Sequence, residues 1–174
     1  MIHVLSPYRS DKNLGKAYND AMSLIPDGDW VILHDHDVLF LLPDTITMIE
    51  EYTKKFPDAG ILTCYCNRIG NSDQLLYPMS NNSDILHHIN IAEDTKQNLF
   101  NATEISAPIS GFLMVINKNV WSEVKFREGL PLGIDNDFSN RVAETGRKIY
   151  RMNSVYVFHT YRLKNGVKNK THLL

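Results

Sequence analysis

A chain of 174 residues, 43% hydrophobic and with a formal charge of −2, carries enough apolar side chain for one cored domain, 1–174. That charge balance excludes the basic footprint of a nucleic-acid binder. No apolar run reaches the ~20 residues of a membrane span, and Met1–Leu5 runs straight into Ser6-Pro7, so neither anchor nor signal peptide is expected.

In chain order, Ile2–Leu5 reads as a first strand. Asp11 or Ser10 can cap a helix whose apolar positions Leu14, Ala17, Tyr18, Ala21, Met22 and Ile25 keep the 3.6-residue repeat until Pro26. Trp30–Leu33 is a short apolar run bounded by the turn-forming Pro26-Asp27-Gly28, as in a buried strand. Leu39–Leu42 then leads to Pro43 and a second helix through Ile46, Ile49, Tyr52 and Phe56, which Pro57 ends. Ala59–Cys66 is a third strand. Its two cysteines, Cys64 and Cys66, are too close to bridge readily and read as reduced core thiols, consistent with a cytoplasmic protein.

Residues 67–106 are polar and Asn-rich, a variable insert in which Ser83 can cap a helix using Ile85, Leu86, Ile89, Ala92 and Leu99. Order returns with a Gly-led strand over Ser110–Ile116 and a short helix around Val120-Trp121. Gly133–Asp137 opens a further helix, and two final strands cover Lys148–Met152 and Val155–Phe158. A basic tail, 160–174, follows. Strands alternating with helices predict an α/β fold, a mostly parallel, Rossmann-like sheet flanked by helices.

The stretch that carries chemistry is His34-Asp35-His36-Asp37. Side-chain alternation along a strand sends Asp35 and Asp37 to one side and the histidines to the other. Two carboxylates a few Å apart repel unless a cation sits between them, and a hard divalent ion does that well. Asp-x-Asp is common: Asp27-Gly28-Asp29 and Asp135-Asn136-Asp137 are two more, and the latter suits a helix start, where negative side chains are favoured anyway. Position is the more telling feature. In open α/β sheets ligands sit beyond the carboxyl ends of strands, where this sequence places both Pro7-Tyr8-Arg9 and Asp35-His36-Asp37.

The ordered series of Pro7-Tyr8-Arg9, Asn13–Asn19, Asp35-His36-Asp37, Ser110-Gly111-Phe112-Leu113, Asp135–Arg141 and Val157–Arg162 resembles the GT-A glycosyltransferases, family 2 in particular. The last two segments are also similar to the catalytic domains of polypeptide N-acetylgalactosaminyltransferases. The resemblance spans most of the chain except 67–106. It implies a GT-A-like fold and transfer of a hexosyl or N-acetylhexosaminyl group from a nucleotide diphosphate sugar donor to a glycan or other hydroxyl acceptor.

Position by position, the resemblance implies that Asp35 and Asp37 form the family's D-x-D motif and hold Mn²⁺ or Mg²⁺, with His159 as a further ligand. Pro7, Tyr8 and Arg9 match the nucleoside pocket, Gly111 the glycine near the donor sugar, and Asp135 the base of inverting members. Lys16 and Asn19, in the Asn13–Asn19 segment, and Arg162 complete the expected donor-binding set; Arg9, Lys12, Lys16 and Arg162 offer cations for diphosphate oxygens. The tail can act as a lid over the diphosphate.

Two departures stand out. One N-terminal βα unit is missing before Asn13–Asn19, and with it an acid that touches base and ribose. The acid usually preceding Asp135 is Ile134, which leaves Asp137 as a second candidate base and a retaining mechanism open. A non-catalytic nucleotide-sugar or glycan-binding module and a nucleotide-sugar hydrolase are the alternatives. Family members commonly build envelope polysaccharides, which implies cytoplasmic work with peripheral membrane association; nothing in the sequence sets an oligomeric state.

Overall fold

The computed structural model describes residues 1–76 and 79–160. The elements are β1 (Ile2–Leu5), α1 (Leu14–Ser23), β2 (Trp30–His34), β3 (Val38–Phe40), α2 (Thr45–Lys55), β4 (Ile61–Cys66), α3 (Ile85–Lys96), β5 (Ala102–Ile105), β6 (Leu113–Asn117), α4 (Lys118–Val124), α5 (Ile134–Glu144) and β7 (Ile149–His159). The strands form one seven-stranded sheet in the order β1-β2-β6-β4-β7-β3, with β5 also paired to β7.

The sheet is mixed where a mostly parallel one was expected. β1–β2 and β4–β7 run parallel, whereas β2–β6, β4–β6, β3–β7 and β5–β7 are antiparallel. The cause lies in the chain path. β5 ends beside Ile149, at the start of β7, and residues 106–112 climb back to the carboxyl ends of β2 and β4. β6 therefore starts at that end, Leu113 opposite His34, and can only run downward.

Both faces of the sheet are covered, which is why β2 and β6 are continuous apolar runs. Ile32, Leu113 and Val115 face a core shared with Met48, Ile49 and Tyr52 of α2 and Ala92 of α3. Val31, Leu33, Met114 and Ile116 face the other core, with Tyr18 and Met22 of α1, Trp121 of α4 and Phe138 of α5. Among the described residues no helix is long and apolar enough to cross a membrane.

Several local expectations shift. The cap of α1 is Asn13, whose Oδ1 accepts from the Lys16 N–H at 3.1 Å. Lys12, at φ +60°, turns the chain just before the helix, so Asp11 is left to accept from the Asn13 N–H. In the insert Asp84, not Ser83, caps α3. That helix buries His88, Ala92 and Thr95, while Leu86 and Leu99 face solvent.

β3 and β5 had no distinct sequence signal, because each is short and takes its order from β7. The two expected C-terminal strands are one, β7, continuous through the polar Asn153-Ser154 pair. Those residues fall between the two expected strands, but Ser154 is held by the Tyr52 hydroxyl at 2.9 Å and the Asn153 N–H bonds the Asn101 carbonyl.

Candidate functional site

The site is assembled by the register of β7. Pairing of Val38 with His159 forces the turn before β3 against the end of β7, and the Thr160 N–H donates to the Asp37 carbonyl at 2.9 Å. β2 itself stops at His34, so Asp35–Asp37 is a turn, closed by the Val38 N–H on the Asp35 carbonyl at 3.1 Å. Strand alternation thus does not set the side chains here. His36 is exposed, and His34 packs edge-on against Phe40 while its Nδ1 donates to the Asp35 carbonyl.

Asp35, Asp37 and His159 nevertheless converge, each offering one ligand atom within 4.8 Å of the others. His159 Nε2 lies 3.3 Å from Asp37 Oδ1. Its Nδ1 is 3.1 Å from the Arg68 carbonyl oxygen, which can only accept, so Nδ1 carries a proton and Nε2 is the ring atom turned to Asp37. Asn67 Oδ1 accepts from the His159 N–H at 2.7 Å, and Phe112 stacks on the ring at 5.5 Å. An imidazole fixed through its far nitrogen to a backbone carbonyl, facing two carboxylates, is a donor set that fits a divalent cation.

Burial pushes the Asp35 carboxyl up to about 6, and the charges of Asp37 and Asp135 add to that against the opposing pull of His159 and His36. At Asp37 burial acts in the same direction, but the hydrogen bond and charge of His159 outweigh it and hold the carboxyl below its ordinary value.

The sign for stability follows from Asp35. Below pH ~4 it is protonated in both folded and unfolded chains. As pH rises through about 6, the folded chain alone must ionise it against burial and like charge, so the stability present at low pH is lost. The metal-free protein is expected to lose about 3 kcal/mol from this group between pH 4 and 7. Urea unfolding in chelator, compared with Asp35→Asn at each pH, isolates the contribution; identical pH profiles would remove it. Mn²⁺ affinity should show the mirror image, weakening as pH falls through about 6 because the proton competes for the same oxygen.

Beside the three lies a cleft of about 510 Å³, whose walls include Asp35, His159, Gly111, Asp135, Tyr18 and Lys12. Gly111 lets two segments touch. Its N–H donates to Asp135 Oδ2 at 2.7 Å, and a Cβ there would stand 2.6 Å from the Asp135 Cβ. Gly111→Ala is expected to break that bond and cost about 1–3 kcal/mol through overpacking, read as a lower urea midpoint with an unchanged slope.

Other expected site residues stand elsewhere. Pro7, Tyr8 and Arg9 do not line the cleft; Tyr8 is 84% exposed. Arg9 is bonded to Asp11 and Asp20, and Lys16 to Asp20. The Asn19 amide is spent on structure, accepting from Trp121 Nε1 and the Phe126 N–H and donating to the Phe126 carbonyl and Glu128. Asp137 pairs with Arg127 and Arg141, away from the cleft. Arg162 and the basic tail from residue 161 lie outside the described residues.

Tyr18 is the site residue that the sequence assigned to the core alone. It is buried, lines the cleft, and its ionisation is opposed by burial and by the charges of Asp35 and Asp135. Helical periodicity marks a side chain as inward-facing and does not distinguish a core contact from a cleft wall. No protein-family model and no curated protein sequence matches the chain.

Proposed function

We propose that the protein is a metal-dependent glycosyltransferase with a GT-A-like arrangement, moving a sugar from a nucleotide diphosphate sugar to a hydroxyl acceptor in cytoplasmic glycan synthesis. The observation that carries this is the convergence of Asp35, Asp37 and His159 at the carboxyl ends of β2 and β7, on a cleft that also holds Asp135. The ordered motif series resembling family 2 supports it.

Asp35, Asp37 and His159 would hold Mn²⁺ or Mg²⁺. Such an ion supplies positive charge to the departing diphosphate, worth several kcal/mol. Asp135 is the candidate base. Its Oδ2 is held by Gly111, and among the described residues Oδ1 has no hydrogen-bond partner. In transfer the acceptor O–H proton passes to Asp135, the acceptor oxygen bonds the anomeric carbon, and the glycosyl–phosphate bond breaks with its electron pair leaving on the diphosphate. Lys12 is the cation for phosphate oxygens. Among the described residues it makes no ion pair, and it lines the cleft, whereas Arg9 and Lys16 are engaged by Asp20.

One observation favours the binding-module alternative: Pro7–Arg9, expected to cradle the nucleoside, stand outside the cleft. Incubation with a panel of nucleotide diphosphate sugars and Mn²⁺, with and without sugar acceptors, separates the cases. Acceptor-dependent transfer is expected. Nucleotide release without an acceptor marks a hydrolase, and Mn²⁺-dependent binding without turnover marks the module. Neither binding nor turnover across the panel overturns the proposal.

A further inference from the structure

Among the described residues three tyrosines are buried, Tyr18, Tyr52 and Tyr156. Two of the hydroxyls are matched inside the protein, Tyr52 by Ser154 Oγ and the Asn101 carbonyl, Tyr156 by His88 Nδ1. Tyr18 is 3% exposed, and among the described residues its hydroxyl has no hydrogen-bond partner. Buried hydroxyls are normally matched. The oxygen is not sealed in the core; it opens on the cleft of about 510 Å³ that Asp35 and Asp135 also line.

Packing at this position asks only for a ring. Tyr18 lies one turn before Met22 on the inward face of α1, and its ring meets Phe126 at 4.8 Å. The neighbouring Asn19 fixes that contact, accepting from the Phe126 N–H and donating to the Phe126 carbonyl. Phenylalanine would fill the same space. The hydroxyl is an addition that the core does not require, presented to the cleft by a rigid helix.

An ordinary phenol keeps its proton at neutral pH, so the group is a donor. An anionic phosphate oxygen beside it would add a third negative charge to those of Asp35 and Asp135. A neutral hydroxyl can accept from Tyr18 and pass its own proton to a carboxylate, matched on both sides.

We infer that the Tyr18 hydroxyl donates to a hydroxyl oxygen of the transferred sugar, and so selects donors that carry it. This rests on the transferase reading, in which the sugar lies between a diphosphate held near Asp35 and an acceptor oxygen at Asp135. Tyr18 shares the cleft with both acids.

The test is calorimetric titration of the full chain, in Mg²⁺, with UDP-glucose, UDP-galactose, UDP-N-acetylglucosamine, UDP-N-acetylgalactosamine and GDP-mannose, and with UDP and GDP alone. Tyr18→Phe keeps the ring. It should weaken the nucleotide sugar that the wild type binds about threefold to tenfold, the size of one neutral hydrogen bond, and leave the nucleoside diphosphate unchanged. Equal loss on both, or loss on neither, overturns the inference and leaves the transferase reading standing. A wild type that binds none of the nucleotide sugars overturns that reading and the inference with it. Single-deoxy analogues of the bound sugar decide even if the variant does not fold: the wild type should lose a similar factor for one of them, and equal binding of all overturns the inference. Tyr18→Phe should be indifferent to that same deoxygenation; additive losses would mean that another residue holds the hydroxyl.

Discussion

Alanine at both Asp35 and Asp37 is expected to leave the chain folded and to erase any rise in melting temperature on adding Mn²⁺ with a nucleoside diphosphate. Turnover should fall about a thousandfold or more, since the charge that a cation would bring to the leaving group is lost. Stability without metal should move the other way. Asp35 is held ionised at neutral pH against burial and against Asp37 and Asp135. Asp35→Asn alone should therefore raise the metal-free melting temperature while weakening metal binding, with a shift of about 2–4 °C for each kcal/mol recovered. Opposite signs with and without metal are what a strained ligand set predicts. Persistence of the Mn²⁺ response in the double variant would place the cation elsewhere.

The second large effect separates the two acids of the Asp135-Asn136-Asp137 segment. Asp135→Asn keeps an oxygen for the Gly111 N–H, now bonded at 2.7 Å to Oδ2, and removes the proton-accepting charge. The expected result is a fall in kcat of about 10²–10⁴-fold with the Mn²⁺–nucleotide thermal shift retained. Asp137→Ala should do the reverse. Its carboxylate bridges Arg127 at 2.9 Å and Arg141 at 2.7 Å, partly out of solvent, so its loss lowers stability by about 1 kcal/mol and leaves kcat within a fewfold. Equal kinetic damage from both would mean that Asp135 acts through the geometry of the α5 start and not as a base.

Residue identity goes far toward this cleft, and spacing much less far. The turn at Pro26–Gly28, the buried run after it and the acids that follow are local features, so they were legible. Asn19 and Arg9 were misplaced for the same reason. Each has the chemistry of a ligand-binding residue, but the amide and the guanidinium are satisfied by partners that only the folded chain supplies, Phe126 and Trp121 for one, Asp20 for the other. Asn67 gave no signal at all, since a lone asparagine after a strand is unremarkable until its Oδ1 is seen to accept from the His159 N–H.

What the sequence determined by itself was the set of amphipathic helices, the apolar runs of β2 and β6 and the acidic cluster that follows β2, because periodicity and turn chemistry act between residues a few positions apart. What tertiary structure alone decided was the direction of β6, the merging of the last two strands into β7 and the register that sets His159 against Asp37 across 121 intervening positions. Those depend on which strand edges are free when distant segments meet and on burying both faces of one sheet, and no window of neighbouring residues encodes either.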